Sequence, residues 1–223
     1  MAALSRVTPQ TDIPEHRNEE REPAGPSGIA KLAMLHAEAE ETARLANLLG
    51  RSLYAALALP VLALLTLGFA EGVSLTRAIV WGMFVAAGSF AILRSYSHTI
   101  GQPFERVALK SFAQDISPIL LYSGFAWGAG AFLALPAGTN MAAAVLFVAV
   151  PASFVAALLR EREAAYLFLA PTALLTSFAC VLMPFAGGAL CAGLILIASG
   201  IIIGVIVITD RHKDARPAML SLT

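Results

Sequence analysis

The sequence predicts an all-α integral membrane protein with six transmembrane helices. Of its 223 residues, 58% are hydrophobic and only 13% are charged, against about 25% charged residues in soluble domains. Several stretches reach the roughly 20 uncharged residues that a helix needs to cross a bilayer. If successive stretches cross the membrane in alternating directions, every Lys and Arg except Arg77 lies on one side of the membrane. The positive-inside rule assigns that side to the cytoplasm.

The predicted domain boundaries follow this charge pattern. Residues 1–27 form a disordered cytoplasmic tail, residues 28–50 a cytoplasmic amphipathic helix, residues 51–209 the six-helix bundle, and residues 210–223 a second cytoplasmic tail. The spans cover about 52–70, 77–94, 116–135, 141–159, 164–184 and 188–209. Pro184 and Gly187-Gly188 divide the last apolar stretch into two spans, so both termini are cytoplasmic.

The helix at 28–50 carries a regularly spaced apolar stripe. Its members alternate three and four residues apart, which is heptad spacing: Leu32, Leu35, Ala39, Thr42, Ala46 and Leu49. Two interpretations remain open. The helix lies on the cytoplasmic end of the bundle, or Leu32 and Leu35 belong to a dimerisation or docking surface.

The connection between spans 2 and 3 predicts an interfacial helix. Phe104 and Phe112 share an apolar face with Ala108, while Arg106 and Lys110 lie on the opposite face. Such a helix places aromatic rings in the acyl boundary and basic side chains among anionic head groups. These residues are therefore candidate contacts with membrane lipids or with a partner protein.

The predicted spans hold no Asp, Glu, Lys, Arg or His at depth, where such residues mark ion pathways and catalytic sites. All four histidines lie outside the spans, which disfavours haem ligation at membrane depth. No zinc-protease, phosphate-loop or serine-hydrolase motif occurs. The sequence therefore predicts no catalytic residue, no metal site and no enzymatic activity, and it offers no surface for nucleic acid.

Three prolines fall at one predicted depth, near the middle of the bilayer. Pro60, Pro151 and Pro171 each lie nine residues from an arginine at the cytoplasmic boundary, which at 1.5 Å per residue is about 13 to 14 Å. A proline frees the carbonyl four residues earlier, and hydroxyl groups, water or a ligand must satisfy it. The candidate ligand-binding residues of this layer are Trp127, Pro151, Ser153, Pro171, Thr172 and Ser199.

Two interpretations of the proline layer are open. The layer is either a set of packed helix kinks or a pocket for an apolar ligand such as a quinone or a lipid; no other cofactor is predicted. Gly124 and Gly128, like Gly200 and Gly204, have the spacing that lets membrane helices approach closely. Trp127 is expected to face protein. Trp81 is expected in the aromatic belt at the membrane interface.

The chain resembles the six-helix membrane sensor regions of proteobacterial diguanylate cyclases and histidine kinases. The likeness rests on Arg94-Ser95-Tyr96 at the end of span 2, the connection of about twenty residues, the Tyr122 to Gly128 motif of span 3, the proline in span 4, and the final hairpin. It covers roughly residues 30 to 210. In that family the region senses a signal or sets dimerisation for a cytoplasmic output domain, whereas here only residues 214–223 follow Lys213.

We therefore expect a non-enzymatic protein of the bacterial inner membrane that acts as a sensor-like or accessory subunit. It would form a homo-oligomer or join a larger membrane complex through protein–protein contacts. The alternative is a small transporter, or a lipid- or quinone-binding protein, with its pocket at the proline layer.

Overall fold

The computed structural model describes residues 28–69, 73–102, 106–133, 141–182 and 188–220. Every regular element within these ranges is a helix, which confirms the all-α prediction. The helices are α1 (Gly28–Phe69), α2 (Leu75–Ile100), α3 (Arg106–Gly128), α4 (Gly130–Leu133), α5 (Met141–Leu159), α6 (Arg162–Leu182) and α7 (Gly188–Leu220). The predicted tail at 1–27 lies outside the described residues.

Five helices are long and apolar enough to cross a membrane, and α5 contains a shorter apolar segment, Val148–Leu159. These helices indicate an integral membrane protein. Their outward faces carry large exposed hydrophobic side chains, including Leu64, Phe90, Leu174 and Ile201. A surface of this kind is unfavourable in water and favourable in lipid.

The predicted boundary near residue 50 is not a helix boundary. The chain divides into two compact units, residues 1–39 and 40–223, yet α1 itself is one helix of 42 residues. Gly50 costs a helix only about 1 kcal/mol, and no proline accompanies it. The separate amphipathic helix at 28–50 is therefore a wrong prediction, because the first span continues the same helix.

The part of α1 that belongs to the residue 40–223 unit, residues 40–69, is about 45 Å long at 1.5 Å per residue, longer than a hydrocarbon core of roughly 30 Å. The charged residues of α1, from Lys31 to Arg51, all precede the apolar segment that begins at Ser52. The part of α1 around Glu41 and Arg44 therefore lies outside the membrane-spanning segment.

The predicted interfacial helix is likewise the first part of a longer helix. α3 runs from Arg106 to Gly128, and its apolar face continues from Leu109 through Phe112 and Ile116 to Leu120, all of them buried. The sequence pattern assigned this face to lipid. The structure packs it into the bundle because three- and four-residue spacing extends it into the span without a break.

α3 and α6 occupy the centre of the unit formed by residues 40–223. α3 packs against α2 and α6, and α6 packs against α5 and α7. The main core contains aromatic and branched side chains from α2, α3, α5 and α6, and α1 adds Leu48, Leu49 and Leu59. Partly buried isoleucines of α7 pack against this core: Ile202, Ile203 and Ile206. α7 is the least buried of the five long apolar helices.

Candidate functional site

Ion pairs join three separate segments at one end of the residue 40–223 unit. On α1, Glu41 accepts a hydrogen bond from Arg106 Nη2 of α3 at 2.7 Å, and Lys110 Nζ lies 3.4 Å from its other oxygen. One helical turn further along α1, Arg44 donates to Glu161 in the connection between α5 and α6. α1 is thus tied to α3 through one residue and to the α5–α6 connection through another.

The α5–α6 connection is short because Arg160 adopts a left-handed conformation. α5 ends at Leu159 and α6 begins at Arg162, and Arg160 has a φ angle of 51°. Its amide donates to the carbonyl of Ala156, 3.3 Å away, which closes the last turn of α5. This reversal places Glu161 where it meets Arg44.

The charges around Glu41 affect its ionisation. The hydrogen bond from Arg106 holds the pKa of Glu41 below its usual value. Desolvation opposes this effect, and Lys110 lowers the pKa further. Glu41 is therefore ionised throughout the neutral range. Because these side chains are partly exposed, the pairs set the geometry of this end more than they stabilise the fold.

A cavity of about 260 Å³ lies between the same three segments. Its apolar wall consists of Leu45, Leu48, Ala113, Ile116, Leu120 and Ala164. Its polar lining consists of Glu41, Arg44, Ser117, Glu161 and Glu163. The cavity thus combines an apolar interior with charged groups, which is the arrangement that an amphipathic ligand requires.

This end of the molecule holds part of the contact surface that the sequence predicts. Arg106 and Lys110 are partly exposed but engaged with Glu41. Phe112 is only 1% exposed and belongs to the core, so its assignment as a lipid or partner contact is wrong. Phe104 lies outside the described residues, whereas Leu32 and Leu35 are exposed.

At the proline layer, Gly124 of α3 lies against the backbone of α6. A Cβ atom at Gly124 would come within 2.3 Å of the Phe168 carbonyl oxygen and 2.7 Å of Pro171 Cγ, and one at Gly128 would touch Thr172. The Thr172 hydroxyl lies 2.9 Å from the carbonyl oxygens of Gly124 and Phe168, to which it can donate. Close packing thus fills the space between Gly124 and Pro171.

Two tryptophans fill the space on the other side of α3. Trp127 is fully buried, as expected, and its indole N–H donates to the Val148 carbonyl of α5 at 2.9 Å. Val148 precedes Pro151 by three residues, within the turn that the proline disturbs. The Trp127 side chain therefore ties α3 to α5 near Pro151.

Trp81 is also fully buried, so its expected place on the interfacial belt is wrong. Its indole N–H donates to the Ala126 carbonyl at 3.0 Å, near the end of α3, where carbonyls lack a following helical turn. A Cβ atom at Gly130 would come within 2.7 Å of the Trp81 ring. The ring enters the bundle because Gly130 leaves room for it and Ala126 offers an acceptor.

The remaining residues singled out from the sequence are not brought together. Ser153 donates to the carbonyl of Ala149 within its own helix, and Ser199 lies part-exposed on α7. A Cβ atom at Gly200 or Gly204 would meet no heavy atom of the described residues within 4 Å. The second glycine motif therefore faces away from the described bundle, unlike the first.

Sequence patterns did not bring Glu41, Arg44 and Glu161 together into one site. Arg44 and Glu161 are 117 residues apart, so no local periodicity links them. Their opposite charges on the same predicted side of the membrane are the one signal that could have found them. Comparisons with protein families, with curated proteins and with solved structures find no match for this chain.

Proposed function

We propose that this chain is a non-enzymatic, multi-pass protein of the bacterial inner membrane that acts as a sensor-like or accessory subunit through protein–protein contacts. The observation that carries the proposal is the exposure of Leu32 and Leu35, at 60% and 61%, in the charged part of α1. A segment that carries one Lys, two Arg and three Glu residues belongs in water, where exposed leucines are unfavourable until a protein covers them.

The orientation of the chain in the membrane is part of the same proposal. Glu41, Arg44, Arg106, Lys110 and Glu161 come from three segments that the charge pattern assigns to one side, and ion pairs join them. This clustering supports a common cytoplasmic face for these segments. It also supports six spans with both termini in the cytoplasm, since α1 and α3 then begin on the side where α5 ends and α6 begins.

A second contact surface is proposed within the membrane. Gly200 and Gly204 lie on α7, the least buried of the long apolar helices. A Cβ atom added at either glycine would meet no heavy atom of the described residues within 4 Å. Gly124 and Gly128 have the same spacing and already contact α6. A helix of a second copy or of another subunit could approach α7 as closely as α6 approaches α3.

The sensor-like role draws on the resemblance to the membrane regions of diguanylate cyclases and histidine kinases. The alternative of a midplane quinone or lipid pocket receives no support from the packing, because Gly124, Pro171 and Thr172 are in contact.

The proposal is tested by the state of the full chain after extraction in a mild detergent. We expect light scattering and mass spectrometry to find an oligomer or a complex with another protein, and Leu32→Glu combined with Leu35→Glu to dissociate it. The matched control is Met34→Glu, because Met34 is equally exposed at 59% but lies on another face of the helix. A wild-type chain that is monomeric and alone would refute the proposal.

A further inference from the structure

We propose that the cavity between α1, α3 and the α5–α6 connection binds an amphipathic amine, a molecule that joins a cationic amino group to an apolar chain. The site goes beyond the function proposed above because it names a small-molecule ligand. It is also distinct from the predicted proline layer, which is closely packed.

The apolar chain is inferred from the walls. Leu45 and Leu48 of α1 face Ile116 and Leu120 of α3 across a space of about 260 Å³. Small-molecule sites commonly measure roughly 300 to 1,000 Å³, so this cavity accepts a short chain but not a large ring system. Burial of each methylene group in such a space strengthens binding by roughly fourfold.

The amino group is inferred from the charges that line the cavity. Arg44 is engaged by Glu161, and Glu41 is engaged by Arg106 and Lys110. Glu163 also lines the cavity, and the described residues include no ion-pair partner for it. Arg160 and Arg162 flank this carboxylate along the chain but do not line the cavity, so the charge left for a ligand is negative.

The carboxylate of Glu163 occupies the first turn of α6. In water, an exposed carboxylate gains little binding free energy from a single cation. A ligand whose apolar chain is bound in the cavity would instead hold its amino group beside Glu163. An anionic amphiphile such as a fatty acid would bring its own carboxylate towards Glu41, Glu161 and Glu163. The cavity therefore distinguishes amphiphiles by the sign of the head group.

A bound chain would contact Leu45 and Leu48 of α1 and Ala164 of α6 together. Binding would thus stabilise the packing of α1 against α3 and α6, beside the two ion-pair clusters. That this packing serves as a signal rests on the proposed sensor-like function, whereas binding itself does not.

The test measures thermal unfolding of the full chain in phosphatidylcholine nanodiscs titrated with n-octylamine or with sodium octanoate. We expect octylamine to raise the melting temperature of the wild type in a saturable way and octanoate to leave it unchanged. Glu163→Gln should weaken the apparent affinity for octylamine at least tenfold. Asp115→Asn is the matched control, because it removes one exposed carboxylate near the same end without lining the cavity, and it should bind like the wild type.

Ala113→Leu places extra side-chain volume in the cavity without changing charge, and it should abolish the octylamine effect. If this variant does not fold, the comparison of Glu163→Gln with Asp115→Asn still decides the question. Equal shifts with octylamine and octanoate, or equal octylamine affinity in the wild type and Glu163→Gln, would overturn the proposal.

Two further arms separate the sources of the amine and the consequence of binding. In nanodiscs that contain phosphatidylethanolamine, loss of the octylamine shift identifies the lipid amine as the natural occupant, and an unchanged shift identifies a free amine. Binding without any change in oligomeric state would refute the signalling consequence alone. Oligomer formation in a chain that does not bind octylamine would refute the ligand site alone.

Discussion

Trp81 and Trp127 form an edge-to-face pair, with ring centroids 5.4 Å apart and ring planes at 61°. Each indole N–H donates to a backbone carbonyl of a neighbouring helix, Ala126 for Trp81 and Val148 for Trp127. Both acceptors lie where a helix is irregular, at the end of α3 and beside Pro151 of α5. Through these two hydrogen bonds the pair links α2 to α3 and α3 to α5.

Trp127→Phe tests this role. The variant keeps an aromatic ring in the core but removes the N–H, so the Val148 carbonyl loses a buried donor. We expect a loss of about 1 to 2 kcal/mol in the free energy of unfolding, measured by SDS titration in mixed micelles with circular dichroism. The control is Phe125→Leu on the exposed face of the same helix, which should change stability by about 0.5 kcal/mol or less. Equal stability of Trp127→Phe and wild type would contradict the hydrogen-bonding role.

Gly124→Ala and Gly200→Ala make the same chemical change in two different environments. A methyl group at Gly124 meets the Phe168 carbonyl at 2.3 Å, so α3 and α6 must move apart at a cost of about 1 to 3 kcal/mol. A methyl group at Gly200 meets no described atom within 4 Å. We expect SDS unfolding to detect a loss only for Gly124→Ala, and light scattering to detect weaker association only for Gly200→Ala. Reduced intramolecular stability of Gly200→Ala would show that α7 is covered within one chain.

Glu41→Gln should change how stability depends on pH. The pKa of Glu41 is lowered in the folded protein, chiefly by the hydrogen bond from Arg106. A depressed pKa stabilises the fold above the usual carboxylate range, and this contribution is lost as the pH falls through the folded value. We expect Glu41→Gln to reduce stability at pH 7 and to weaken its decline below about pH 4.5. Glu40→Gln is the control, since the structure shows no ion pair for Glu40 among the described residues, and it should follow the wild-type melting profile.

Arg160→Gly tests the left-handed turn between α5 and α6. At a φ angle of 51° a side chain is disfavoured, and glycine adopts this conformation without steric cost. We expect the variant to gain about 0.5 to 1 kcal/mol in the free energy of unfolding. Arg162→Gly, placed at the first residue of α6, should instead lose stability because glycine disfavours a helix. A loss in Arg160→Gly would mean that the arginine side chain contributes more than the turn costs.

Periodic patterns in the sequence predict which residues are helical, but they do not show which neighbour covers each face. Phe112 illustrates the difficulty. Its spacing with Ala108 and Ile116 correctly identifies an apolar face, yet a face that contacts lipid and a face that contacts protein have the same composition. The distinction depends on the helices that lie beside α3, and these come from distant parts of the chain.

Tryptophan position shows the same limit. The preference of Trp for membrane interfaces is statistical, and it gives way where a cavity and a carbonyl acceptor are available inside. Gly130 provides the space and Ala126 the acceptor for Trp81, and both lie about fifty residues further along the chain. A local pattern around Trp81 contains neither.

The sequence by itself determined that the chain is helical, apolar and rich in membrane-spanning segments, because hydrophobic length and the placement of charge are properties of single segments. Only the tertiary structure decided that α1 and α3 continue without a break, that Trp81 faces inward, and that Glu41 and Arg44 bracket a cavity. These features depend on contacts between residues far apart in the chain. Such contacts follow from how the helices pack, not from the composition of any one of them.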